Sequence, residues 1–160
     1  MVALLLNRVT LTKGQALYLP AGNMHAYIRG LGIELMAASD NVLRGGLTSK
    51  HVDVPELLSV VSDKVVPVPI LEPRNVAQGI DLFVPDVPDF VLAHVVVTAG
   101  MSKSDSLSLT RHAIVTCTAG NVTVEGSDSS VELEQGQNAF ISGEERSLFF
   151  AGEGELFIAL

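Results

Sequence analysis

The chain has 160 residues, of which 48% are apolar and 18% charged, and its formal net charge is -8. This apolar content excludes an intrinsically disordered protein, and a single cysteine excludes a disulfide scaffold. The acidic balance argues against nucleic-acid binding, and no apolar run reaches the roughly 20 residues of a membrane helix. An apolar chain with few charges predicts surface that a partner, or a missing part of a larger protein, would cover.

The first fifty residues read as short strands. Apolar runs broken by glycine, proline and asparagine are typical of an all-β sandwich or barrel, and they predict strands at 2–12, 15–20, 26–28 and 33–37. The segment 1–6 is apolar from its first residue. We therefore expect a buried strand there and a chain that is part of something longer.

One short helix is predicted near 54–62. Asp53 is a good N-cap, Pro55 suits an early helical position and Glu56 favours the first turn. The apolar face of this helix is expected to consist of Leu57, Leu58, Val60 and Val61.

Five prolines interrupt the β-branched residues of 62–90. Proline has no N–H for a central ladder, so this stretch predicts extended connection and an edge strand. Further strands are predicted at 90–98, 106–111, 113–118, 121–125, 130–134, 137–141, 147–150 and 155–159, with loops at glycines that include Gly120, Gly152 and Gly154. We expect Cys117, inside one of these strands, to be a buried and unreactive thiol.

A short internal repeat links the two parts of the chain. Residues 11–19 and 133–141 both read as a tight turn at a Gly-Gln pair that leads into an apolar strand. This similarity would fit two related β-sandwich halves.

Gly14, Pro20, Gly22 and His25 follow the spacing G-x5-P-x-G-x2-H. This resembles the second conserved motif of the cupin β-barrels, and it predicts a mainly β fold of cupin-like β-sandwich or jelly-roll halves. Neutral imidazole is a good ligand for zinc, so His25 is the candidate metal ligand. The matching positions of the second half hold Ser142, Glu144 and Ser147, so no metal site is expected there.

A longer run makes the resemblance specific. From Ser39 to Lys50 the chain reads Ser-Asp-Asn-Val-x-Arg-x-Gly-x-Thr-x-Lys. Together with the motif around His25, this run is similar to the zinc-dependent type I mannose-6-phosphate isomerases over about 9–62. The resemblance implies two domains: 1–66 as the C-terminal remnant of a catalytic cupin domain, and 67–160 as a degenerate C-terminal cupin domain.

The resemblance implies an aldose–ketose isomerase that interconverts mannose 6-phosphate and fructose 6-phosphate in the cytoplasm. Family members hold zinc with a glutamine, two histidines and a glutamate. His25 matches the last histidine, and the other three ligands have no counterpart in this chain. We therefore expect a C-terminal fragment that is inactive alone, binds zinc weakly or not at all, and exposes apolar surface near 2–6 and around His25.

The resemblance also implies residues at the substrate. Asp40 and Arg44 are the candidate catalytic residues, for proton transfer and for stabilising enediolate or phosphate charge. Lys50, Glu34 and Tyr27 are candidates for substrate binding. Without the resemblance, Asp40 would read as a turn residue and both Arg44 and Lys50 as solvated side chains.

Three alternatives stay open on the sequence alone. The chain could be a stand-alone cupin-like module for sugar-phosphate binding or assembly, and it could self-associate. Two copies of His25 could share a metal ion in a dimer. The catalytic base could be Asp40 or a residue of the missing part. His51, His94 and His112 match no family ligand and read as ordinary strand or surface residues.

Overall fold

A computed structural model describes residues 4–39, 41–46, 48–102 and 105–160. The chain divides into two compact units, Met1–Ile70 and Leu71–Leu160. The fold is mainly β with antiparallel strands, as the sequence predicts.

The first unit contains little regular structure. Strand β1 covers Ala16–Leu17, helix α1 covers Val54–Val60, and β1 pairs with β2, Ile70–Leu71. The predicted helix is confirmed, and the Asp53 carboxylate accepts from the Glu56 N–H at 3.1 Å as the N-cap. Its expected apolar face is only half present, because Leu58 and Val60 are exposed.

The strands predicted over 2–12, 26–28 and 33–37 are wrong. Residues 4–6 form a turn, and no described residue of the other segments belongs to a strand; residues 1–3 lie outside the described part. A strand exists only where a neighbour supplies the hydrogen-bond ladder. Over 24–46, the described chain runs without such a neighbour.

No described residue of the first unit is fully buried. Several of its large apolar side chains are strongly exposed, as the sequence predicts for both ends of this region: Leu4 at 86%, Leu5 at 83%, Tyr27 at 78%, Ile28 at 80% and Leu31 at 101%. The described residues of this unit therefore build no hydrophobic core.

The described residues of the second unit form an antiparallel sheet in the order β3-β4-β5-β10-β7-β8, with β6 paired to β10 and β9 to β7. The strands are β3 (Arg74–Ala77), β4 (Ile80–Phe83), β5 (Leu92–Val97), β6 (Leu107–Ser108), β7 (Ala113–Glu125), β8 (Ser130–Glu134), β9 (Asn138–Ile141) and β10 (Ser147–Ala159).

Strands β7 and β10 are longer than predicted. Glycines expected in loops lie inside them, because Gly120 pairs with Gly154 and Gly152 pairs with Val122. A Cβ at Gly120 would collide with the Glu153 carbonyl, so the close approach of the two backbones requires glycine there. The sequence therefore reads as four short strands what the structure shows as two long antiparallel strands that pair with each other.

A bulge in β7 explains how this strand keeps its apolar residues inside. The register with β10 shifts next to Glu155, where Cys117 and Ala119 pair with successive residues and Thr118 is unpaired. Cys117 is buried before the bulge and Val122 after it, so the inward positions change from odd to even numbers.

The proline-rich stretch is more ordered than predicted. Strand β4 lies inside the sheet, with Ile80 fully buried, and only β3 is an edge strand. All five prolines of this stretch lie outside β3 and β4. Strand β4 has a partner on each side, and a central strand does not tolerate a missing N–H.

One hydrophobic core fills the second unit. It includes Ile80, Val95, Val115, Leu156 and Ile158, and Cys117 is a buried free thiol, as predicted. His94 lies in β5, where its Nε2 is 2.8 Å from Glu155 Oε1 and its ring stacks on Phe157. Among the described residues, no helix is long and apolar enough to cross a membrane.

Candidate functional site

Two glycine turns shape the segment that carries His25. Gly14 has φ of 85° and Gly22 has φ of 84°, a backbone region that favours glycine. A Cβ at Gly22 would stand 3.1 Å from the Val60 carbonyl, and Ser62 N–H donates to the Gly22 carbonyl at 2.9 Å. The turn before His25 is thus held against the end of helix α1.

His25 is exposed and oriented by the backbone. Its Nδ1 lies 3.2 Å from the Asn23 carbonyl oxygen. A carbonyl only accepts, so this contact favours the tautomer with the proton on Nδ1. The Nε2 lone pair is then available for a ligand. Metal-binding histidines typically donate the N–H of their other ring nitrogen to an acceptor in this way.

Tyr27 and Glu34 form a pair beside His25. The rings of His25 and Tyr27 meet edge to face, with centroids 6.2 Å apart. Partial desolvation raises the pKa of the Tyr27 hydroxyl, and the negative charge of Glu34 and a hydrogen bond to it raise that pKa further. The pair keeps Tyr27 protonated, with Glu34 as its acceptor.

The arginine segment lies close to the histidine segment. A Cβ at Gly45 would overlap the end of the Met24 side chain, so residues 24 and 45 are in contact range. Arg44 directly precedes Gly45 and is exposed. Its guanidinium makes no hydrogen bond or ion pair with another described residue.

The remaining predicted site residues are less well placed. Lys50 is exposed, and its backbone N–H donates to Thr48 Oγ1 at 3.1 Å. Asp40 lies outside the described residues. The structure therefore brings together His25, Tyr27 and Glu34, with Met24 linking them to the arginine segment, and it shows no contact from Lys50 to that group.

The described residues provide too few metal-binding side chains in one place for a complete metal site. Among the described residues, no group of three or more His, Cys, Asp or Glu side chains could hold a metal ion. A structural or catalytic zinc needs at least three protein ligands. His25 fits the role of one ligand in a site completed from elsewhere.

The two segments of the internal repeat, 11–19 and 133–141, begin with turns of the same structure. Gln15 and Gln137 each donate their N–H to the residue three positions before and accept that residue's N–H on Oε1 at 2.9 Å. Gly14 and Gly136 both have positive φ, of 85° and 90°. The two halves therefore share one turn design.

The second half uses the metal-motif positions for loop structure. Ser142 Oγ accepts from the Glu144 N–H at 3.3 Å, in place of the proline and glycine of the first half. Next to it, Glu145 accepts from the Ser127 N–H at 2.7 Å and from the Ser127 hydroxyl. The hydrogen bond between Ser142 and Glu144 shapes this loop, so proline and glycine are not needed at the matching positions.

Two contacts of the site were not foreseen from the sequence. The Asn23 carbonyl orients His25, and Met24 contacts the arginine segment. The only signal for the first was the position of Asn23 in the Pro20 turn, where its side chain donates to the Pro20 carbonyl at 3.0 Å. Nothing in the spacing marks Met24.

Comparison with known proteins gives the family. No family model matches the chain. Mannose-6-phosphate isomerase of Escherichia coli is 38% identical over 154 residues, which is 96% of this chain and 39% of the relative. The enzyme of the same name from Bos taurus is 34% identical over 149 residues, 88% of this chain and 34% of the relative. The chain thus spans well under half the length of the curated relatives it matches.

Solved structures agree. Three crystal structures of phosphomannose isomerase from Salmonella typhimurium, each with one glutamate, histidine or arginine changed to alanine, have TM-scores of 0.64, 0.65 and 0.64. They are 28–29% identical and cover 76–78% of this chain and 31% of theirs. The chain belongs to the mannose-6-phosphate isomerase family and corresponds to the C-terminal part of its members.

Proposed function

We propose that this chain supplies part of the active site of a mannose-6-phosphate isomerase, which interconverts mannose 6-phosphate and fructose 6-phosphate in the cytoplasm. The observation that carries the proposal is the match of 96% of the chain to enzymes of that name. The motif around His25 and the run from Ser39 to Lys50 support it. The first domain, 1–66, would be catalytic and the second, 67–160, would be a cupin domain without a metal site.

The solved variants support the choice of site residues. In the Salmonella enzyme, the substituted glutamate follows the substituted histidine by 9 positions, and the substituted arginine follows that histidine by 19. His25, Glu34 and Arg44 stand at the same intervals. We take these three residues as the counterparts of the changed positions.

His25 would be one zinc ligand. Its Nδ1 faces the Asn23 carbonyl, so Nε2 is the donor atom. Zinc, when bound, polarises the sugar oxygens and stabilises negative charge on them. The other ligands would come from the N-terminal part of the enzyme, because the described residues here include no group of three or more side chains that could hold a metal ion.

The chemistry transfers one proton between neighbouring carbons. A base removes the proton from C2 of the open-chain aldose, the electron pair forms the C1=C2 enediol, and a proton returned to C1 gives the ketose. A second proton passes from O2 to O1. Asp40 is the candidate for one of these transfers, and the rigid guanidinium fork of Arg44 would stabilise the enediolate or hold the phosphate.

Substrate contacts would come from three further residues. The Tyr27 hydroxyl donates to Glu34 and can accept a hydrogen bond from a sugar hydroxyl, and Lys50 can attract the phosphate as a point charge. Arg44 and Lys50 are exposed, and neither side chain makes an ion pair with another described residue.

The first unit would be completed by the N-terminal part of the enzyme. It has no fully buried described residue, and Tyr27, Ile28 and Leu31 expose their side chains. Burying such side chains contributes about 1.5–3 kcal/mol each. We therefore expect this surface to pack against the missing part, with self-association in its absence.

Co-expression with the unmatched N-terminal part of the Escherichia coli relative tests the function. We expect fructose 6-phosphate to be converted to mannose 6-phosphate by the complex and not by either part alone. In the complex, Arg44→Gln should lower kcat/KM by about 10²–10³, as does loss of a donor to an oxyanion. His25→Gln should lower both zinc content and activity.

Matched controls are Arg29→Gln and His51→Gln, which change exposed residues of the same unit. Both should leave activity within about twofold of the unchanged complex. The proposal fails if Arg44→Gln and His25→Gln behave like these controls. Tight binding of fructose 6-phosphate by the chain alone, with no turnover by the complex, would favour the stand-alone binding module. Zinc bound by a dimer of the chain alone would favour a site shared by two copies of His25.

A further inference from the structure

The second unit has an open pocket that is lined by two arginines. Its volume is about 260 Å³, and Arg74 and Arg111 both line it, together with Thr110 and the apolar Leu82, Val91 and Leu160. All of these residues belong to the second unit, and none is among the candidate active-site residues.

The placement of charge is unusual for this unit. Thirteen acidic residues of 71–160 accompany four basic ones, Arg74, Lys103, Arg111 and Arg146. Two of those four line one cavity. Arginine stays protonated in proteins, so both guanidinium groups carry a full positive charge at this pocket.

Arg111 is held in place by backbone carbonyls and not by a carboxylate of the described residues. Arg111 Nη1 and Nη2 donate to the backbone carbonyls of Asp89 and Pro88 at 3.3 and 3.5 Å. A guanidinium has five N–H donors, so Arg111 keeps donors for a ligand. Among the described residues, no carboxylate lies within 4.0 Å of either guanidinium, and neither the Arg74 guanidinium nor the Thr110 hydroxyl makes a hydrogen bond.

We propose that this cavity binds a phosphate monoester with a short apolar body. Two guanidinium groups balance the charge of a phosphate dianion, and their N–H groups with the Thr110 hydroxyl provide donors for its oxygens. Leu82, Val91 and Leu160 provide a surface for carbon atoms. The site is independent of the proposed isomerase function, since all its residues lie in the unit that has its own core.

Calorimetric titration of the chain with inorganic phosphate and with propyl phosphate, at constant ionic strength in chloride, tests the proposal. We expect millimolar or tighter binding, with propyl phosphate at least about threefold tighter because of the apolar surface. Butanoate should bind at least about tenfold more weakly than propyl phosphate, because it carries one charge instead of two.

Variants locate the site. Arg74→Gln and Arg111→Gln should each weaken propyl phosphate binding about tenfold, as expected for loss of a charge-assisted hydrogen bond. No hydrogen bond or ion pair joins the Arg74 side chain to another described residue, so Arg74→Gln removes no such bond. The control Arg146→Gln removes an exposed arginine outside the cavity and should leave binding unchanged.

Three results would overturn the assignment. The first is equal affinity for propyl phosphate in all variants, and the second is an equal loss of that affinity in Arg146→Gln and Arg74→Gln. The third is binding of propyl phosphate that does not saturate by about 50 mM, well beyond millimolar affinity. Tighter binding of butanoate than of propyl phosphate would exclude a phosphate ligand. Unfolding temperature, measured for each variant, distinguishes loss of the site from loss of the fold.

Discussion

At the residue scale, the site consists of side chains that the local backbone has already oriented. His25 has its Nδ1 fixed by the Asn23 carbonyl, and Tyr27 has its hydroxyl paired with Glu34. All three are predicted as site residues through the family resemblance: His25 by the motif that it completes, and Tyr27 and Glu34 by what the resemblance implies. The Asn23 contact could be predicted only from the place of Asn23 in the Pro20 turn, because residue type does not show where a backbone carbonyl points.

The Tyr27–Glu34 pair predicts a titration change. Glu34→Gln removes the charge that raises the Tyr27 pKa, so this pKa should fall. It should stay above the ordinary value because desolvation, the largest cause of the shift, remains. Tyrosinate absorbance measures it in a Tyr18→Phe background, which leaves Tyr27 as the one tyrosine of the chain.

The matched control for this titration is Glu56→Gln, a change of another exposed glutamate of the first unit. It should leave the Tyr27 pKa where it is. An unchanged Tyr27 pKa in Glu34→Gln would show that the two side chains do not interact.

A second residue-scale prediction concerns Glu145. Hydrogen bonds from the Ser127 hydroxyl and then from the Ser127 N–H lower the pKa of this carboxyl below its ordinary 4.5. A lowered pKa means that the ionised group stabilises the fold above the ordinary pKa, and that this stabilisation is lost as the pH falls through the folded-state pKa. Ser127→Ala should therefore raise the Glu145 pKa toward its ordinary value.

Carboxyl carbon chemical shifts, followed by NMR across the acid range, measure that pKa directly. Ser129→Ala changes a neighbouring loop serine whose hydroxyl makes no hydrogen bond with a described residue, and it should have no effect. A Glu145 pKa that is the same in both variants would contradict the role of the Ser127 hydroxyl.

At the element scale, the long strands β7 and β10 explain where sequence reasoning succeeds and where it does not. Alternating apolar residues predict the inward faces well, from Ala113 to Ile158. Glycine in a sequence reads as a turn, but Gly120 and Gly154 are paired within the ladder. The periodicity of one segment shows which face of the sheet a residue occupies. The close approach of two backbones depends on which distant segment pairs with it, and the sequence of one segment does not show this.

Gly120→Ala tests the requirement for glycine. A side chain there would need a left-handed φ of 73° and would stand 2.7 Å from the Gly154 Cα. We expect the free energy of unfolding to fall by about 2 kcal/mol or more, combining backbone strain with the steric clash. Urea denaturation measures it.

Gly100→Ala is the control, because a Cβ at Gly100 would meet no atom within 4 Å. Its effect should stay within about 0.5 kcal/mol. Equal stabilities of the two variants would mean that the β7–β10 register differs from the one described.

At the scale of the whole molecule, the two units differ in completeness. Residues of the second unit form a core with fully buried Ile80, Val95 and Leu156, whereas the described residues of the first unit have none. The strands predicted at 26–28 and 33–37 fit this difference. Under our proposal, their apolar pattern is suited to a sheet whose other strands the N-terminal part of the enzyme would provide.

The high apolar content of the chain has the same explanation under our proposal. In the second unit many apolar side chains are buried in the core, whereas in the first unit Leu4, Tyr27 and Leu31 lie on the surface. Exposed apolar groups of this size are typical of interaction surfaces. The N-terminal part of the enzyme would cover them and add the remaining zinc ligands.

Amide hydrogen exchange tests this central claim most directly. The chain is measured alone and in complex with the N-terminal part of the Escherichia coli relative. We expect residues 24–46 to exchange fast in the chain alone and to become protected by at least about a hundredfold in the complex, as ladder hydrogen bonds form. Exchange in β7 and β10 should not change. Equal exchange of 24–46 in the two samples, in a complex that is shown to form, would contradict the account.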